Sequence, residues 1–218
     1  MTAIKICGVT RSEDAELAVE LGAWAIGFNL WAESPRSVAL DQAIELGSSL
    51  RRRTELVGVF VNPSLDEVAK AVEDAHLDLV QLHGDEGVQF CSEVARKTGA
   101  KVIKAFPVSS AADIRGAEAY RTDFHLFDAA SGKGRGGTGQ RFDWDLLARH
   151  RSKIPTILAG GIGPDNAAAA VEVVRPFALD VASGIESEPG VKDAGKMEQL
   201  FEAVNPPVAQ PGELSRRS

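Results

Sequence analysis

Cysteine is scarce in this sequence, and long apolar runs are missing from it. Cys7 and Cys91 are the two cysteines among 218 residues, and their spacing fits neither a metal-ligand pair nor a secreted disulfide framework. No stretch of about 18 apolar residues occurs, and the N-terminus lacks the apolar segment of a signal peptide. We therefore expect a protein of the reducing cytoplasm with no membrane-spanning segment.

The sequence has no excess of positive charge. It also lacks the common metal- and nucleotide-binding motifs. The 24 lysines and arginines are outnumbered by 31 aspartates and glutamates, which gives a formal net charge of -7. Because binding to a phosphate backbone needs clustered cations, we expect no nucleic-acid partner. Neither an HExxH nor a Walker-type sequence occurs, and the histidines and carboxylates are not clustered at metal-ligand spacing. We expect no metal and no nucleotide cofactor.

The sequence does contain eight short runs rich in apolar and β-branched residues, and a segment with helical periodicity follows each run. The predicted strands are Ala3–Cys7, Trp24–Asn29, Leu56–Val61, Asp78–His83, Lys101–Phe106, Asp123–Asp128, Pro155–Ala159 and Ala178–Ala182. Strands that alternate with helices predict a parallel sheet covered by helices. Eight such units predict an α/β protein with one (β/α)8 TIM barrel over residues 1–204.

An open, doubly wound sheet is the alternative arrangement of these elements. Its dinucleotide-binding form carries a GxGxxG sequence after the first strand, and that sequence is missing here. Local signals support the helices: Ser64 and Glu67 form a capping-box pattern, and Pro164 occupies a first-turn position. Beyond residue 204 the chain becomes rich in proline, so residues 205–218 are predicted to be a flexible tail.

The first strand supplies the first candidate for chemistry, because reactive groups of such barrels lie at the C-terminal strand ends. Strand alternation turns Lys5 and Cys7 into the barrel, with Cys7 nearer the end. A neighbouring ammonium lowers the pKa of a thiol from its usual value of about 8.5, so Cys7 is a candidate base or nucleophile. The alternative is a small buried apolar residue, which is our interpretation of Cys91.

Two further strands end in polar side chains. Asp128 ends the sixth strand before a glycine-rich loop and is a candidate general acid; alternatively, it caps a helix or pairs with Lys133 or Arg135. Gln81 and His83 point inward from the fourth strand. His83 is a candidate for orienting a ligand, although a lone histidine is more often structural.

Glycines after the last two strands predict a phosphate site. Gly160 and Gly161 follow the seventh strand, Ser183 and Gly184 follow the eighth, and a helix begins near Pro164. Backbone amides in such turns bind anions, and a helix N-terminus strengthens this binding. The alternative is that these glycines only form turns.

An arginine in the loop after the second strand is a candidate for binding a second anionic group. Arg36 lies in the sequence Ser34-Pro35-Arg36, and its guanidinium can donate two hydrogen bonds to a carboxylate. The alternative is a solvated loop arginine. Such local cations matter because the net charge of -7 gives no long-range attraction for an anionic substrate.

These residues lie in motifs that resemble the phosphoribosylanthranilate isomerase family over residues 3–204. The motifs are Lys5-Ile6-Cys7-Gly8, Ser34-Pro35-Arg36, Gln81-Leu82-His83-Gly84, Gly136-Gly137-Thr138-Gly139 with Phe142-Asp143-Trp144, Ala159-Gly160-Gly161, and residues 180–186 with 189–193. The resemblance implies that Cys7 is the general base, Asp128 the general acid and Arg36 the group that holds the anthranilate carboxylate. Phosphate is then bound by amides around Gly160, Gly161, Ser183 and Gly184, and we also assign substrate contacts to Lys5, Gln81 and His83.

The implied reaction is the Amadori rearrangement of N-(5-phosphoribosyl)anthranilate in tryptophan biosynthesis, by a monomer or homodimer that needs no cofactor. The loop 129–139 is a hypothetical lid over the sugar. The sequence departs from the family at Trp31-Ala32-Glu33, where relatives often have an aromatic residue and a lysine before Ser-Pro-Arg. Glu33 therefore puts a cationic role at that position in doubt.

Two other functions are kept as alternatives. The first is the same chemistry on the aminoimidazole carboxamide ribotide of the histidine pathway, and such an enzyme is expected to have an aspartate where Cys7 stands. The second is a non-catalytic barrel that binds sugar phosphates. That protein is expected to have lost Cys7 or Asp128, and both are present.

Overall fold

The computed structural model describes residues 1–128, 144–148, 150 and 152–206. The strands in this part of the chain are β1 (Ala3–Cys7), β2 (Ala25–Asn29), β3 (Glu55–Phe60), β4 (Leu79–Leu82), β5 (Lys101–Pro107), β6 (Phe124–Asp128), β7 (Thr156–Ala159), β8 (Ala178–Val181), β9 (Glu186–Glu188) and β10 (Val191–Lys192). The helices are α1 (Ser12–Glu20), α2 (Leu40–Ser48), α3 (Leu65–Ala75), α4 (Val88–Thr98), α5 (Ala111–Ala117), α6 (Trp144–Ala148), α7 (Pro164–Val174) and α8 (Ala194–Val204).

The first eight strands form a closed barrel in which β8 pairs with β1. All eight pairings are parallel, as expected for strands joined through helices. The predicted (β/α)8 barrel is therefore confirmed, and the open doubly wound sheet is wrong. Strand ends differ from the prediction by at most one residue, because ladder hydrogen bonds rather than composition decide where a strand stops.

Apolar side chains fill the barrel in the pattern that strand alternation requires. Inward-facing residues form one buried cluster, which includes Ala25, Val57, Val59, Leu79, Ile103, Ala105, Leu126, Ile157 and Ala178. Outward-facing residues such as Ile6, Phe28 and Leu179 pack against the helices in a second, larger cluster. Polar inward positions are therefore exceptions to the rule, and they concentrate near the C-terminal strand ends.

Three aromatic rings pack together at the opposite, N-terminal end of the barrel. Trp24, Phe124 and Phe177 have ring centroids 5.0 to 5.4 Å apart. Trp24 and Phe177 each lie immediately before a strand, and Phe124 begins β6. This cluster covers the lower end of the core, so access to the interior is left to the upper end.

The predicted helix signals are confirmed. Ser64 Oγ accepts a hydrogen bond from the Glu67 amide, and the Glu67 carboxylate accepts one from the Ser64 amide. Pro164 is the first residue of α7. No helix of the described ranges is long and apolar enough to cross a membrane.

A short hairpin, formed by β9 and β10, follows β8 and was not predicted from the sequence. A 3-10 turn over Ser183–Ile185 connects it to the barrel, and Thr10 Oγ1 donates to the Gly190 carbonyl at its tip, 2.6 Å away. The loop 129–139 and residues 207–218 lie outside the described residues. The predictions of a lid and of a flexible tail therefore stay predictions.

Candidate active site

A cavity of about 250 Å³ opens at the C-terminal ends of the barrel strands. Eight of the ten predicted site residues line it: Cys7, Arg36, Gln81, His83, Asp128, Gly160, Gly161 and Ser183. Residues from seven of the eight strands or the loops that follow them therefore meet at one place, although the chain separates them by up to 176 positions. The predicted residues that do not line the cavity are Lys5 and Gly184.

The thiol of Cys7 lies over a glycine of the neighbouring strand. Cys7 pairs in register with Gly27, and a Cβ atom on Gly27 would lie 3.0 Å from Cys7 Sγ and 3.1 Å from Lys5 Nζ. Such distances are shorter than ordinary van der Waals contact. The missing side chain at Gly27 therefore leaves space for both groups.

Lys5 lies beneath the cavity rather than in it. Its side chain is fully buried, and Nζ donates a hydrogen bond of 2.7 Å to Asp180 Oδ1 on the paired strand β8. A buried ammonium needs a counter-ion and Lys5 has one inside the protein, so the expected substrate contact of Lys5 stays a prediction. Asp180 lines the cavity and was missed, although alternation from the inward Ala178 places it on the inner face.

The ionisation of Cys7 reflects three nearby charged side chains and the loss of solvent. Burial raises the pKa of the Cys7 thiol and Asp180 raises it further, whereas Lys5 and Lys192 lower it. Together these effects raise the pKa of the Cys7 thiol. The expected lowering by Lys5 is present, but Asp180, which is bonded directly to the ammonium, acts in the opposite direction.

Lys5 itself stays charged. Burial disfavours the ammonium, but the attraction of Asp180 and of Cys7 outweighs that cost, and the pKa of Lys5 is raised. In the resting protein the barrel interior therefore holds an ammonium, a carboxylate and a protonated thiol. Activation of the thiol requires a proton to leave this group.

A second polar group of the cavity runs from Gln81 through His83 to Asp128. Gln81 Nε2 lies 2.9 Å from His83 Nδ1, and His83 Nε2 lies 3.4 Å from Asp128 Oδ2. With Gln81 donating to Nδ1, a neutral imidazole carries its proton on Nε2, the ring nitrogen that lies nearer to Asp128. Gln81, on β4, thus orients the imidazole of His83, which lies next to Asp128.

Gln81 also carries an unsatisfied acceptor. Its side chain is 1% exposed, and Oε1 has no hydrogen-bond partner among the residues that the structure describes. A buried amide oxygen without a partner costs free energy, on the order of 1 to 3 kcal/mol. Because Gln81 lines the cavity, a ligand hydroxyl can satisfy this atom.

Arg36 packs across the backbone of Gly8 at the cavity rim, where a Cβ atom would lie 2.6 Å from Arg36 Cδ. Its Nε and Nη2 atoms donate to the two oxygens of Glu186 at 2.8 and 2.7 Å. The Nε–Nη2 edge of the guanidinium therefore faces Glu186. The edge formed by Nη1 and Nη2 is the one that can face the cavity.

The loops after β7 and β8 approach each other closely. Gly160 and Gly161 have φ values of 91° and 65°, which belong to the left-handed region that glycine tolerates. A Cβ atom on Gly184 would overlap the Ile162 carbonyl oxygen, so Gly184 permits the contact between the loops instead of lining the cavity. The eleven-residue helix α7 begins at Pro164 directly beyond, so its N-terminal amides lie beside this loop pair.

Asn29 is a further cavity residue that the sequence analysis missed. Its Oδ1 accepts a hydrogen bond from the Trp31 amide, and its Nδ2 donates to Ser34 Oγ, at 3.0 Å each. Asn29 therefore holds the loop that carries Arg36. Across the described ranges, no group of three or more histidine, cysteine, aspartate or glutamate side chains is arranged to hold a metal ion.

A closed eight-stranded parallel barrel with a polar cavity at its C-terminal strand ends defines the class of (β/α)8-barrel enzymes. Residues 4–203 match the family described as PRAI, N-(5'phosphoribosyl)anthranilate (PRA) isomerase. The chain belongs to this family.

Relatives and solved structures agree with the family match. N-(5'-phosphoribosyl)anthranilate isomerase of Geobacter metallireducens is 46% identical over 201 residues, which cover 92% of this chain and 98% of that protein. The crystal structure of phosphoribosyl anthranilate isomerase from Thermotoga maritima is 37% identical and has a TM-score of 0.88, with 94% and 98% of the two chains covered. A phosphoribosyl anthranilate isomerase in complex with reduced 1-(o-carboxyphenylamino)-1-deoxyribulose 5-phosphate has a TM-score of 0.82 at 36% identity, with the same coverage.

Proposed function

We propose that Cys7 and Asp128 are the general base and general acid with which this chain isomerises N-(5'-phosphoribosyl)anthranilate. The family supports the reaction. The observation that carries the residue roles is that both side chains line one cavity, on strands separated only by β7 and β8. An acid and a base within one small cavity can act on neighbouring atoms of the same sugar.

The reaction needs two protons donated and two removed. Asp128 protonates the ring oxygen of the ribose, the bond from C1' to that oxygen breaks, and the anthranilate nitrogen forms a Schiff base with C1'. The Cys7 thiolate then removes the proton from C2', which gives an enolamine. Proton transfer to C1' and loss of the proton from the C2' hydroxyl give the ketose, 1-(2-carboxyphenylamino)-1-deoxyribulose 5-phosphate. Atoms and electrons balance without a cofactor.

The remaining cavity residues bind and orient the substrate in this proposal. The Nη1–Nη2 edge of Arg36 binds the anthranilate carboxylate, while Glu186 keeps the guanidinium in place. Amides around Gly160, Gly161 and Ser183, with the N-terminus of α7, bind the phosphate. A solved relative in complex with a phosphorylated, carboxylate-bearing product analogue supports two anionic subsites at opposite ends of one cavity.

His83 and Gln81 orient the proposed general acid, Asp128. His83 Nε2 lies 3.4 Å from Asp128 Oδ2, so the imidazole orients the Asp128 carboxyl group in this proposal. Gln81 fixes His83 through Nδ1 and offers its unsatisfied Oε1 to a ribose hydroxyl. With Asp180, Lys5 forms the charged floor of the site in this proposal.

The family match argues against both alternatives. An isomerase of the histidine pathway is expected to have an aspartate where Cys7 stands, and a non-catalytic barrel is expected to lack Cys7 or Asp128. Both residues line the cavity. Turnover of N-(5'-phosphoribosyl)anthranilate, with the histidine-pathway ribotide as the comparison substrate, distinguishes the three functions.

The test is the loss of anthranilate fluorescence when the protein is added to freshly generated N-(5'-phosphoribosyl)anthranilate. We expect turnover by the wild type and a decrease in kcat of about 100-fold or more for Cys7→Ala and for Asp128→Ala. Cys91→Ala is the matched control, because Cys91 is buried on α4 outside the cavity. Turnover that survives in Cys7→Ala would keep the reaction and overturn the assignment of the base.

We also propose a reducing, cytoplasmic location and a monomer or homodimer. The support for the location is that the two cysteines are free and that the proposed base must remain a thiol. Light scattering on the purified protein decides the oligomeric state.

A further inference from the structure

The hairpin of β9 and β10 buries two oppositely charged side chains beside the cavity. Glu186 and Lys192 have side-chain exposures of 5% and 0%, and Lys192 Nζ lies 2.8 Å from Glu186 Oε1. Removing two charges from water costs several kcal/mol each unless both are well paired. Their burial at this place therefore calls for a structural or functional reason beyond closing a short hairpin.

Glu186 is shared between two cations. Besides Lys192, it accepts hydrogen bonds from Nε and Nη2 of Arg36, and the Gly190 amide donates to Oε1 at 3.3 Å. Burial raises the pKa of the Glu186 carboxyl, but Arg36 and Lys192 outweigh burial and the pKa is lowered. Glu186 is therefore an ionised carboxylate that holds Arg36 in a fixed plane.

Lys192 reaches from the hairpin to the strand that carries the proposed base. Its Nζ donates to the Cys7 carbonyl oxygen at 2.7 Å and to the Ala182 carbonyl oxygen at 3.3 Å. The Lys192 amide in turn donates to the buried Asp14 carboxylate on α1 at 3.0 Å. A continuous chain of hydrogen bonds thus joins the guanidinium of Arg36 to the backbone of Cys7.

The charges around Cys7 differ between its two sides. On the floor, Lys5 and Asp180 form a pair with no net charge. On the hairpin side, Arg36 and Lys192 share the carboxylate of Glu186, and the buried Asp14 carboxyl group accepts a hydrogen bond from the Lys192 amide. Lys5 and Lys192 both lower the pKa of the Cys7 thiol, and Lys192 is the one that the hairpin holds, with its Nζ donating to the Cys7 backbone carbonyl oxygen.

We propose that Glu186 and Lys192 are positioning residues of the active site: Glu186 fixes Arg36, and Lys192 fixes the end of β1 and favours the Cys7 thiolate. This inference rests on the roles assigned to Cys7 and Arg36 under the proposed function. The hairpin then makes the substrate-binding arginine and the base parts of one hydrogen-bonded unit.

The first test does not depend on turnover. The rate of alkylation by iodoacetamide is measured against pH in a Cys91→Ser background, so that Cys7 is the thiol observed. We expect Lys192→Met to raise the apparent pKa of Cys7 by about one unit, since a cation near the thiolate is lost. Lys196→Met is the matched control: Lys196 Nζ also binds a backbone carbonyl, that of Glu186 at 2.8 Å, but contacts neither Cys7 nor Arg36.

The second test separates the two positioning roles by steady-state kinetics. Glu186→Gln is expected to raise KM about tenfold with a smaller change in kcat, because Arg36 loses its charged anchor. Lys192→Met is expected to lower kcat about tenfold with a smaller change in KM. Lys196→Met is expected to change neither constant appreciably.

Folding is controlled by circular dichroism and by a second variant. The double variant Glu186→Gln/Lys192→Met removes the two most deeply buried charges of this group together, and Arg36, which loses its carboxylate partner, is partly exposed to solvent. If Lys192→Met does not fold, the double variant is used for both the alkylation profile and the steady-state kinetics. We expect the double variant to show a raised pKa of Cys7 and a raised KM.

The outcomes separate this inference from the proposed function. An alkylation profile and kinetic constants for Lys192→Met and the double variant that match those of Lys196→Met would overturn the positioning roles. A raised pKa of Cys7 in a protein whose wild type shows no turnover would instead overturn the proposed function, while the electrostatic link between Lys192 and Cys7 would stand.

Discussion

Lys5 Nζ and Asp180 Oδ1 lie 2.7 Å apart on paired strands inside the barrel, directly beneath the thiol of Cys7. The pair explains how a fully buried ammonium can exist next to a candidate base without forcing the thiol into its ionised form. Asp180 balances the charge of Lys5 and raises the pKa of Cys7, while Lys5 lowers it.

Removal of the carboxylate partner is therefore expected to change both ionisation and stability. Asp180→Asn leaves Lys5 without a counter-ion, so the apparent pKa of Cys7 should fall and the thiol should react with iodoacetamide at lower pH. The uncompensated ammonium should also lower the free energy of unfolding by about 3 to 5 kcal/mol. Asp66→Asn is the control, because Asp66 pairs with Lys97 at the surface, where solvent screens the pair, and its loss should leave the stability nearly unchanged. An unchanged reactivity profile for Asp180→Asn would contradict this electrostatic account.

Gly27→Ala tests the space that the site reserves for the thiol. The added Cβ atom would lie 3.0 Å from Cys7 Sγ and 3.1 Å from Lys5 Nζ, so one of the two groups must move. A displacement of about 1 Å at a catalytic group costs on the order of 100-fold in rate, so we expect kcat to fall much more than KM rises. Gly116→Ala is the matched control, because its Cβ atom would meet nothing within 4 Å on helix α5. Wild-type kcat in Gly27→Ala would show that this space is not needed.

Gly184→Ala tests the contact between the two predicted phosphate loops. Its Cβ atom would overlap the Ile162 carbonyl oxygen, so the loops after β7 and β8 must separate. We expect KM for N-(5'-phosphoribosyl)anthranilate and the dissociation constant for inorganic phosphate to rise together by about tenfold or more, because amides that converge on one anion no longer do so. Gly87→Ala, on the loop before α4, meets no atom within 4 Å and should leave both constants unchanged. Phosphate affinity that survives in Gly184→Ala would count against binding at this loop pair.

His125 makes the stability of the fold depend on pH. This side chain points outward from β6, is 1% exposed, and contacts Phe106 and Phe127 edge-on. Burial lowers the pKa of His125 from 6.5 to about 4, against the effect of a hydrogen bond to the Tyr120 carbonyl. The folded protein therefore keeps a neutral imidazole at a pH at which the unfolded chain already binds a proton.

The direction in which stability changes with pH follows from this difference in proton binding between the folded and unfolded states. Because the unfolded state binds more protons below about pH 6.5, stability should fall as the pH decreases, by about 3 kcal/mol between pH 7 and pH 4. Urea unfolding at several pH values measures the loss, and His125→Gln should remove this component from the profile. His76→Gln is the comparison, because His76 lies at the C-terminal end of α3 and has an exposed side chain. Equal pH dependence in the wild type and His125→Gln would be incompatible with a buried neutral histidine.

Local sequence patterns were sufficient to predict the barrel architecture. The strand at Ala3–Cys7, the capping box at Ser64 and the first-turn proline at Pro164 are each decided by neighbours within a few residues, and all three agree with the structure. Strand alternation also placed Cys7 and Gln81 on the inner face correctly, because side-chain direction in a strand has a period of two. The eight βα units were therefore visible in the sequence before any long-range contact was known.

The buried ion pairs could not be predicted from local sequence patterns. Lys5 and Asp180 are 175 positions apart, and Arg36 and Glu186 are 150 positions apart. Their pairing depends on barrel closure and on a two-stranded hairpin whose strands have three and two residues, too short to give a periodic signal. For that reason the sequence analysis assigned Lys5 to the substrate and left Asp180, Glu186 and Lys192 without a role.

The sequence by itself determined the repeating units, the inward positions of the candidate base and acid, and the glycine-rich ends of the last two strands, because each depends on local conformation and periodicity. The tertiary structure alone decided which charges neutralise one another. Closure of the barrel places Asp180 on Lys5, and the hairpin places Glu186 and Lys192 between Arg36 and Cys7. Electrostatic interactions depend on distance through space, and this distance is fixed only when remote parts of the chain pack together.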